Sequence, residues 1–246
     1  MKLKALCLFL FLTLPNLTFS QTKGRIVYRI ATEEPVSDEE DSKRKNYVEF
    51  LNYMNEIRDS IPFNLDFDKR ESVFYVDTET NLGLSDKQGY ESIIKTFNFY
   101  YRNGDTKKAV ERIIAERTYL VESKTSDVVW NITNEQKIIG NYTCIKATTT
   151  VTGYTATRGV FNNTIEAWFA PSIALSLGPK NYGGLPGLIM ELTDMKFTYY
   201  VNSMDLDPDF EIYVKKPTRG RTISREDYYE MRPKITRENL RESIGG

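Results

Sequence analysis

Residues 178–191 read GPKNYGGLPGLIME, a stretch that concentrates residues with special backbone geometry. Four glycines and two prolines fall in the ten positions before Leu188. Glycine permits positive φ and close backbone approach, whereas proline fixes φ and removes a hydrogen-bond donor. Leu185-Pro186-Gly187-Leu188 places proline and glycine where a type II turn prefers them. The stretch therefore predicts a rigid turn that leads into a strand beginning at Leu188.

The same stretch also supports a second interpretation, a loop that contacts a ligand or a protein partner. The two interpretations assign different residues, because a turn depends on its glycines and a contact surface depends on its larger side chains. The candidate contact residues are Trp168, Pro179, Tyr182, Leu185 and Pro186. The residues with predicted structural roles are Gly178, Gly183, Gly184, Gly187, Leu188, Ile189 and Cys144.

Outward from this stretch, the chain alternates between apolar and polar residues in short runs separated by turn residues. This period of two predicts half-buried strands, and their close spacing favours antiparallel pairing over crossover helices. The residues 107–116 also fit a short helix. The predicted strands cover residues 23–31, 63–67, 72–76, 93–101, 110–114, 117–122, 128–132, 137–151, 164–169, 188–193, 196–203 and 210–214.

Two segments have helical patterns instead. Ser37 and Glu40 form a capping box before apolar residues at helical spacing, which predicts a helix over about residues 38–59 that ends before Pro62. Ser224 begins a second short helix that extends to about Met231. We therefore expect a mainly β (α+β) fold: a single curved antiparallel sheet or half-barrel of about ten strands, with two or three covering helices.

The first twenty residues resemble a secretory signal. Lys2 and Lys4 precede an apolar run that is too short to cross a bilayer, and small or polar residues follow before Gln21. We expect residues 1–20 to be removed and residues 21–246 to form one β-rich domain with a short basic helical tail. The mature protein is expected in the periplasm or cell envelope, with secretion as an alternative, and not to span the membrane.

The composition excludes several chemistries. The sequence has no histidine, so it cannot form a Ser-His-Asp triad or a histidine metal site. The formal net charge is −1, and there is no basic, aromatic-rich stripe for nucleic acid. Cys144 is the only cysteine after the signal-like segment; we expect a buried structural thiol, with pairing between chains as the alternative. We expect no enzymatic activity, no cofactor and no metal.

Several motifs together resemble the GLPGLI family, exported proteins of Bacteroidetes. Residues 184–189 carry the hexapeptide GLPGLI itself. Upstream, the order of Trp130, Tyr142, Cys144 and Lys146 is similar to another family motif, and Ala167-Trp168 and Gly178-Pro179 fit its shorter elements. The family has no established activity, and its members often accompany outer-membrane transport systems. A more distant fold-level likeness is to periplasmic lipoprotein carriers, which implies a curved half-closed sheet.

Two functions are compatible with these patterns. The sequence has 16 Tyr and 13 Phe, many of them on predicted strands, and such a wall of aromatic side chains fits either a packed core or an apolar cavity. One hypothesis is therefore a non-catalytic envelope protein that binds a lipid or acyl chain in the concave face of its sheet. The alternative is a protein-interaction module that serves an outer-membrane transport or export system and uses the loop before Leu188.

Overall fold

The protein folds around one open, curved sheet of twelve strands. The computed structural model describes residues 22–32, 52–53, 55–76, 97–115, 117–155, 158–195 and 197–232. The predicted signal segment, most of the first predicted helix and the end of the tail lie outside these ranges. The strands are β1 (Lys23–Thr32), β2 (Phe63–Asp68), β3 (Glu71–Val76), β4 (Phe99–Asn103), β5 (Lys108–Ile114), β6 (Thr118–Lys124), β7 (Asn131–Ile139), β8 (Tyr142–Thr155), β9 (Gly159–Ala170), β10 (Leu188–Asp194), β11 (Phe197–Asp205) and β12 (Arg221–Ser224).

The strand order across the sheet is β12-β6-β5-β4-β3-β2-β1-β11-β10-β9-β8-β7. Neighbours pair antiparallel, except that β12 runs parallel to β6. Most pairs are hairpins joined by short turns, which is the connectivity that the alternating sequence pattern predicts. The mainly β fold and the curved sheet are thus confirmed, whereas the expected number of about ten strands is too low.

Two α-helices flank the sheet within the described residues. Helix α1 comprises residues 52–53 and 55–60, and helix α2 spans Arg225–Met231. The Ser224 side chain caps α2 by accepting a hydrogen bond from the backbone N–H of Asp227. None of the helices in the described ranges is both long enough and apolar enough to cross a bilayer.

The main core fills the concave face of the sheet. Alternate residues of β1 and β2, such as Ile26, Tyr28 and Phe63, are fully buried there. Phe63 stacks on Phe74 with ring centroids 5.6 Å apart and meets Tyr199 edge-on at 5.7 Å. The aromatic side chains of these strands therefore mainly form a packed core.

Three local predictions were wrong. The predicted strand at residues 137–151 is divided by a tight turn, where Gly140 has a φ of +58° and separates β7 from β8, and the predicted strand at 128–132 is only the start of β7. Residues 210–214 form no strand, although they alternate like one. The segment that becomes β12 was not predicted, since its parallel partner β6 lies about a hundred residues away in sequence.

Candidate ligand-binding cleft

Residues 171–187 fold back over the concave face and become part of the main core. Ile173, Leu175 and Leu185 are each at most 7% exposed. The backbone N–H of Leu188 donates to the carbonyl of Ile173 at 3.1 Å, and that of Ile189 donates to Leu177 at 3.0 Å. The type II turn prediction was wrong, because Gly187 at the third position has a φ of +159°, whereas a type II turn needs a φ near about +80° there.

The glycines of the 178–187 loop are required by close packing. A Cβ on Gly178 would lie 2.6 Å from Cδ1 of Ile189, and a Cβ on Gly183 would lie 2.7 Å from the carbonyl oxygen of Ser176. Gly184 has a φ of +92°, which side-chain-bearing residues rarely adopt. The density of glycine in this stretch therefore reflects contact between the loop and the sheet.

The curvature of the sheet and the 178–187 loop together form a cleft of about 390 Å³. One wall consists of β4, β5 and α2, and the opposite wall consists of β8, β9 and the β10–β11 turn. Helix α2 joins the two walls: the Tyr229 hydroxyl donates to the carbonyl of Thr152 at 3.3 Å, and its ring stacks on Tyr154. A second groove, along β12, is broadly open to solvent.

An ion pair lies at the base of the cleft. The Lys180 ammonium is hydrogen-bonded to the Asp194 carboxylate, and their side chains are only 19% and 12% exposed. Asn163 donates to the other carboxylate oxygen at 2.7 Å. Lys180 has a φ of +57°, unusual for a residue other than glycine, so the pair is made in a strained backbone conformation. The 178–187 loop is thereby tied to the β10–β11 turn.

A second ion pair connects α2 to β5. Arg225 approaches the Glu111 carboxylate at 3.2 Å, and Asn98 donates to the other Glu111 oxygen at 2.7 Å. Burial is the largest single influence on Arg225 and opposes its charge, but the interactions with Glu111 and Tyr229 together outweigh it and raise the pKa of Arg225. Each charged group of the two pairs thus has its counter-ion inside the cleft.

Tyrosines line the same cleft in their neutral form. Burial is the main cause that raises the pKa of Tyr100 well above its ordinary value, and it raises that of Tyr182 as well. Burial is the largest single influence on Lys180 and opposes its charge, but the combined influence of Asp194 and the surrounding tyrosines outweighs it, so the Lys180 pKa is raised. The cleft therefore offers neutral hydroxyls and a protonated lysine, which suit binding better than nucleophilic or base catalysis.

The structure distributes the predicted contact residues unevenly. Of these residues, only Tyr182 lines the cleft. Leu185 is 1% exposed and Pro179 is buried, whereas Pro186 is exposed. The 178–187 loop therefore presents Tyr182 to the cleft and keeps Leu185 in the core.

Trp168 occupies a separate place on the sheet. It is 9% exposed, its indole N–H donates to Glu166 at 3.0 Å, and the Lys137 ammonium lies 4.4 Å from its ring centroid. These contacts link β7 to β9 across β8. Cys144 is fully buried on β8, and burial raises the pKa of its thiol, which fits a structural role.

Several cleft residues were not identified from the sequence. Lys180 lies inside the stretch quoted at the outset, but its partner Asp194 belongs to the next hairpin. Arg225 and Glu111 are separated by 114 residues. No local sequence pattern predicts such ion pairs, because they depend on the curvature of the sheet. Across the described ranges, no three acidic or cysteine side chains cluster as metal ligands.

Part of the chain is similar to a family of unknown function. Residues 130–191 match the model of a family described as "Protein of unknown function (Porph_ging)". The match spans β7 to β10, including most residues on which the predicted GLPGLI resemblance rests; membership of the GLPGLI family itself stays a prediction. No curated protein matches this sequence.

Two solved structures of PNGF-II, in space groups C2 and P21, are distantly similar to this chain. Sequence identity is 14% and 13%, and TM-scores are 0.48 and 0.49. The similarity covers 85% and 86% of this chain but only 32% and 33% of the PNGF-II chains. This chain therefore spans about a third of the length of these structures.

Proposed function

We propose that the protein is a non-catalytic binding protein of the cell envelope and that its ligand is a small molecule with an apolar body. The observation that carries the proposal is the cleft of about 390 Å³ on the concave side of the sheet. This volume lies at the lower end of the range of small-molecule sites, roughly 300–1,000 Å³. Because the rest of the concave face is packed, the ligand is a short acyl chain or a compact ring.

The residues that line the cleft fit a ligand whose apolar body also contacts polar groups. Tyr100, Tyr182 and Phe161 present aromatic rings, and Val128 and Val151 add aliphatic surface. The charged groups of the Lys180 and Arg225 ion pairs are already neutralised within the protein. The apolar surfaces consequently provide the driving force for binding, and the hydroxyls orient the ligand.

The proposal is tested by titrating the protein with octan-1-ol, which has a short apolar chain and no charge, under calorimetric or NMR detection. Replacing Tyr182 with alanine removes a ring from the cleft, so we expect affinity to fall about tenfold. Tyr213→Ala is the matched control, because Tyr213 is 75% exposed and does not line the cleft. Absence of octanol binding, or equal losses in both variants, would contradict a ligand site in the cleft.

An interaction with an outer-membrane transport or export partner is the alternative proposal, and one observation favours it. Strand β7 is an edge of the sheet, and its Ile132 and Ile138 are 48% and 76% exposed. An exposed edge strand offers unpaired backbone groups to which a partner strand can add. On this basis the partner surface is β7 instead of the largely buried 178–187 loop.

Substituting Ile138 with aspartate tests this alternative. The change places a charge on the exposed edge, so we expect the recovery of a β-strand partner in cross-linked envelope preparations to fall several-fold, without loss of stability. Asp substitution of Tyr200 is the control, because Tyr200 is 36% exposed but lies on β11 where that strand pairs with β1 on one side and β10 on the other. Equal recovery by both variants would exclude β7 as the partner surface.

A further inference from the structure

Arg102 is a buried cation without a counter-ion. It lies on β4, is 9% exposed, and donates one side-chain hydrogen bond, from Nη1 to the carbonyl of Asn181 at 3.1 Å. Within the described ranges no carboxylate lies within ion-pair distance of its guanidinium. Burial lowers the pKa of Arg102, and no neighbouring charge offsets that effect. A guanidinium has five N–H donors, and the described residues provide an acceptor for one of those of Arg102; its remaining nitrogens are not among the buried atoms without a partner, so they retain contact with solvent.

Arg102 is not one of the residues that line the cleft, but two of its neighbours are. Its cross-strand neighbours are Ser72 on β3 and Ala109 on β5, both small, and Ala109 lines the cleft. Asn181, whose carbonyl Arg102 contacts, lines the cleft as well. A Cβ added to Gly183 would lie 3.0 Å from the guanidinium carbon of Arg102. The absence of a side chain at Gly183 therefore leaves room for the guanidinium.

Asn181 provides a second, independent observation. Both polar atoms of its side-chain amide are buried, and neither has a hydrogen-bond partner. Leaving such groups unpaired costs about 1–3 kcal/mol each, so native proteins rarely tolerate them without a reason. The backbone carbonyl of Asn181 thus accepts from Arg102, while the side-chain amide of the same residue is buried without a partner.

The balance of buried charges around the cleft indicates what kind of ligand would complement Arg102 and Asn181. The two cleft ion pairs, Lys180 with Asp194 and Arg225 with Glu111, are each neutral overall. Among the buried charges, Arg102 therefore leaves one positive charge in excess. Lys124, Asp127 and Glu226 also line the cleft, but they are exposed, so their charges are screened by water and salt. A single negative charge on the ligand would balance the interior.

We propose that Arg102 and the Asn181 amide form a head-group subsite that binds the carboxylate of a ligand whose apolar body lies in the cleft. A carboxylate matches the planar fork of a guanidinium and also accepts from the Asn181 amide N–H. Because the 178–187 loop shields that amide, the loop shifts when the head group enters. The inference rests on the proposed function and narrows the ligand class to short-chain carboxylic acids in their ionised form.

Octanoate and octan-1-ol form a matched pair of ligands for testing the subsite, since they share a chain length and differ in charge. We expect the wild-type protein to bind octanoate at least about tenfold more tightly than octan-1-ol, because a charge-assisted hydrogen bond to a buried guanidinium is strong. Arg102→Met should remove this preference and leave octan-1-ol affinity unchanged within about twofold. Arg102→Lys, which keeps the charge but not the fork, should retain part of the preference.

Thermal unfolding of the variants separates the subsite from a structural role. Without ligand, Arg102→Met should unfold no lower than the wild type, because it replaces an unpaired buried charge with an apolar side chain of similar length. A marked loss of stability together with an unchanged octanoate preference would overturn the subsite. If the wild-type protein binds octanoate and octan-1-ol with equal affinity, the subsite is wrong but a ligand site in the cleft is still supported. If the protein binds neither compound, the proposed function is wrong.

Discussion

Replacing Asp194 with alanine is expected to destabilise the protein by about 3 kcal/mol. The substitution leaves the Lys180 ammonium without its counter-ion at a site where the lysine side chain is only 19% exposed. It also deprives Asn163 of the acceptor that it bonds at 2.7 Å. Breaking a buried pair from one side typically costs about 3–5 kcal/mol, and partial exposure places this pair near the lower value. Urea unfolding monitored by tryptophan fluorescence measures the change.

A double substitution shows whether the cost comes from the unpaired charge. In Lys180→Met combined with Asp194→Ala, no charge is left behind, so we expect the double variant to be more stable than Asp194→Ala alone. Glu122→Ala is the matched control, because the Glu122–Lys216 pair is 37% and 43% exposed and should contribute less than about 1 kcal/mol. Equal losses for Asp194→Ala and Glu122→Ala would mean that the cleft pair does not hold the loop.

Alternation along the chain predicts most of the sheet, because each strand must place one face in the core. The runs at residues 23–31, 63–67 and 72–76 correspond closely to β1, β2 and β3. The same pattern also marks residues 210–214, where no strand forms. Alternation shows which residues suit a strand, but strand formation also needs a free neighbouring edge, and edge availability is set by the whole topology.

The cleft is less accessible to sequence reasoning than the sheet. Tyr182 was identified because it lies in a stretch with an unusual density of glycine and proline. Arg102 was not, since a single arginine in an alternating run is typical of a solvent-facing position. Its burial results from the 178–187 loop, which covers β4 from 79 residues away in sequence. Contacts of this kind follow from sheet curvature and loop placement, and neither is encoded in a local pattern.

Leu185→Ala is the second substitution expected to cause a large loss of stability, and measuring that loss decides between the two interpretations of the GLPGLI stretch. Its side chain is 1% exposed and belongs to the main core. Truncation to alanine leaves a cavity in a packed interior, so we expect a loss of about 3 kcal/mol, within the usual range of about 2–5 kcal/mol for such substitutions. The measurement is again the free energy of unfolding in urea.

Ile138→Ala is the matched control for Leu185→Ala, since it removes a similar aliphatic side chain that is 76% exposed. We expect this control to change stability by less than about 0.5 kcal/mol. If Leu185 is instead a contact residue for a partner, its truncation will behave like that of Ile138 and leave stability unchanged. A large loss at Leu185 with none at Ile138 means that the leucine of the hexapeptide anchors the loop to the sheet. The hexapeptide then acts on the cleft indirectly, because this anchor holds Lys180, Asn181 and Tyr182 in the positions from which they line it.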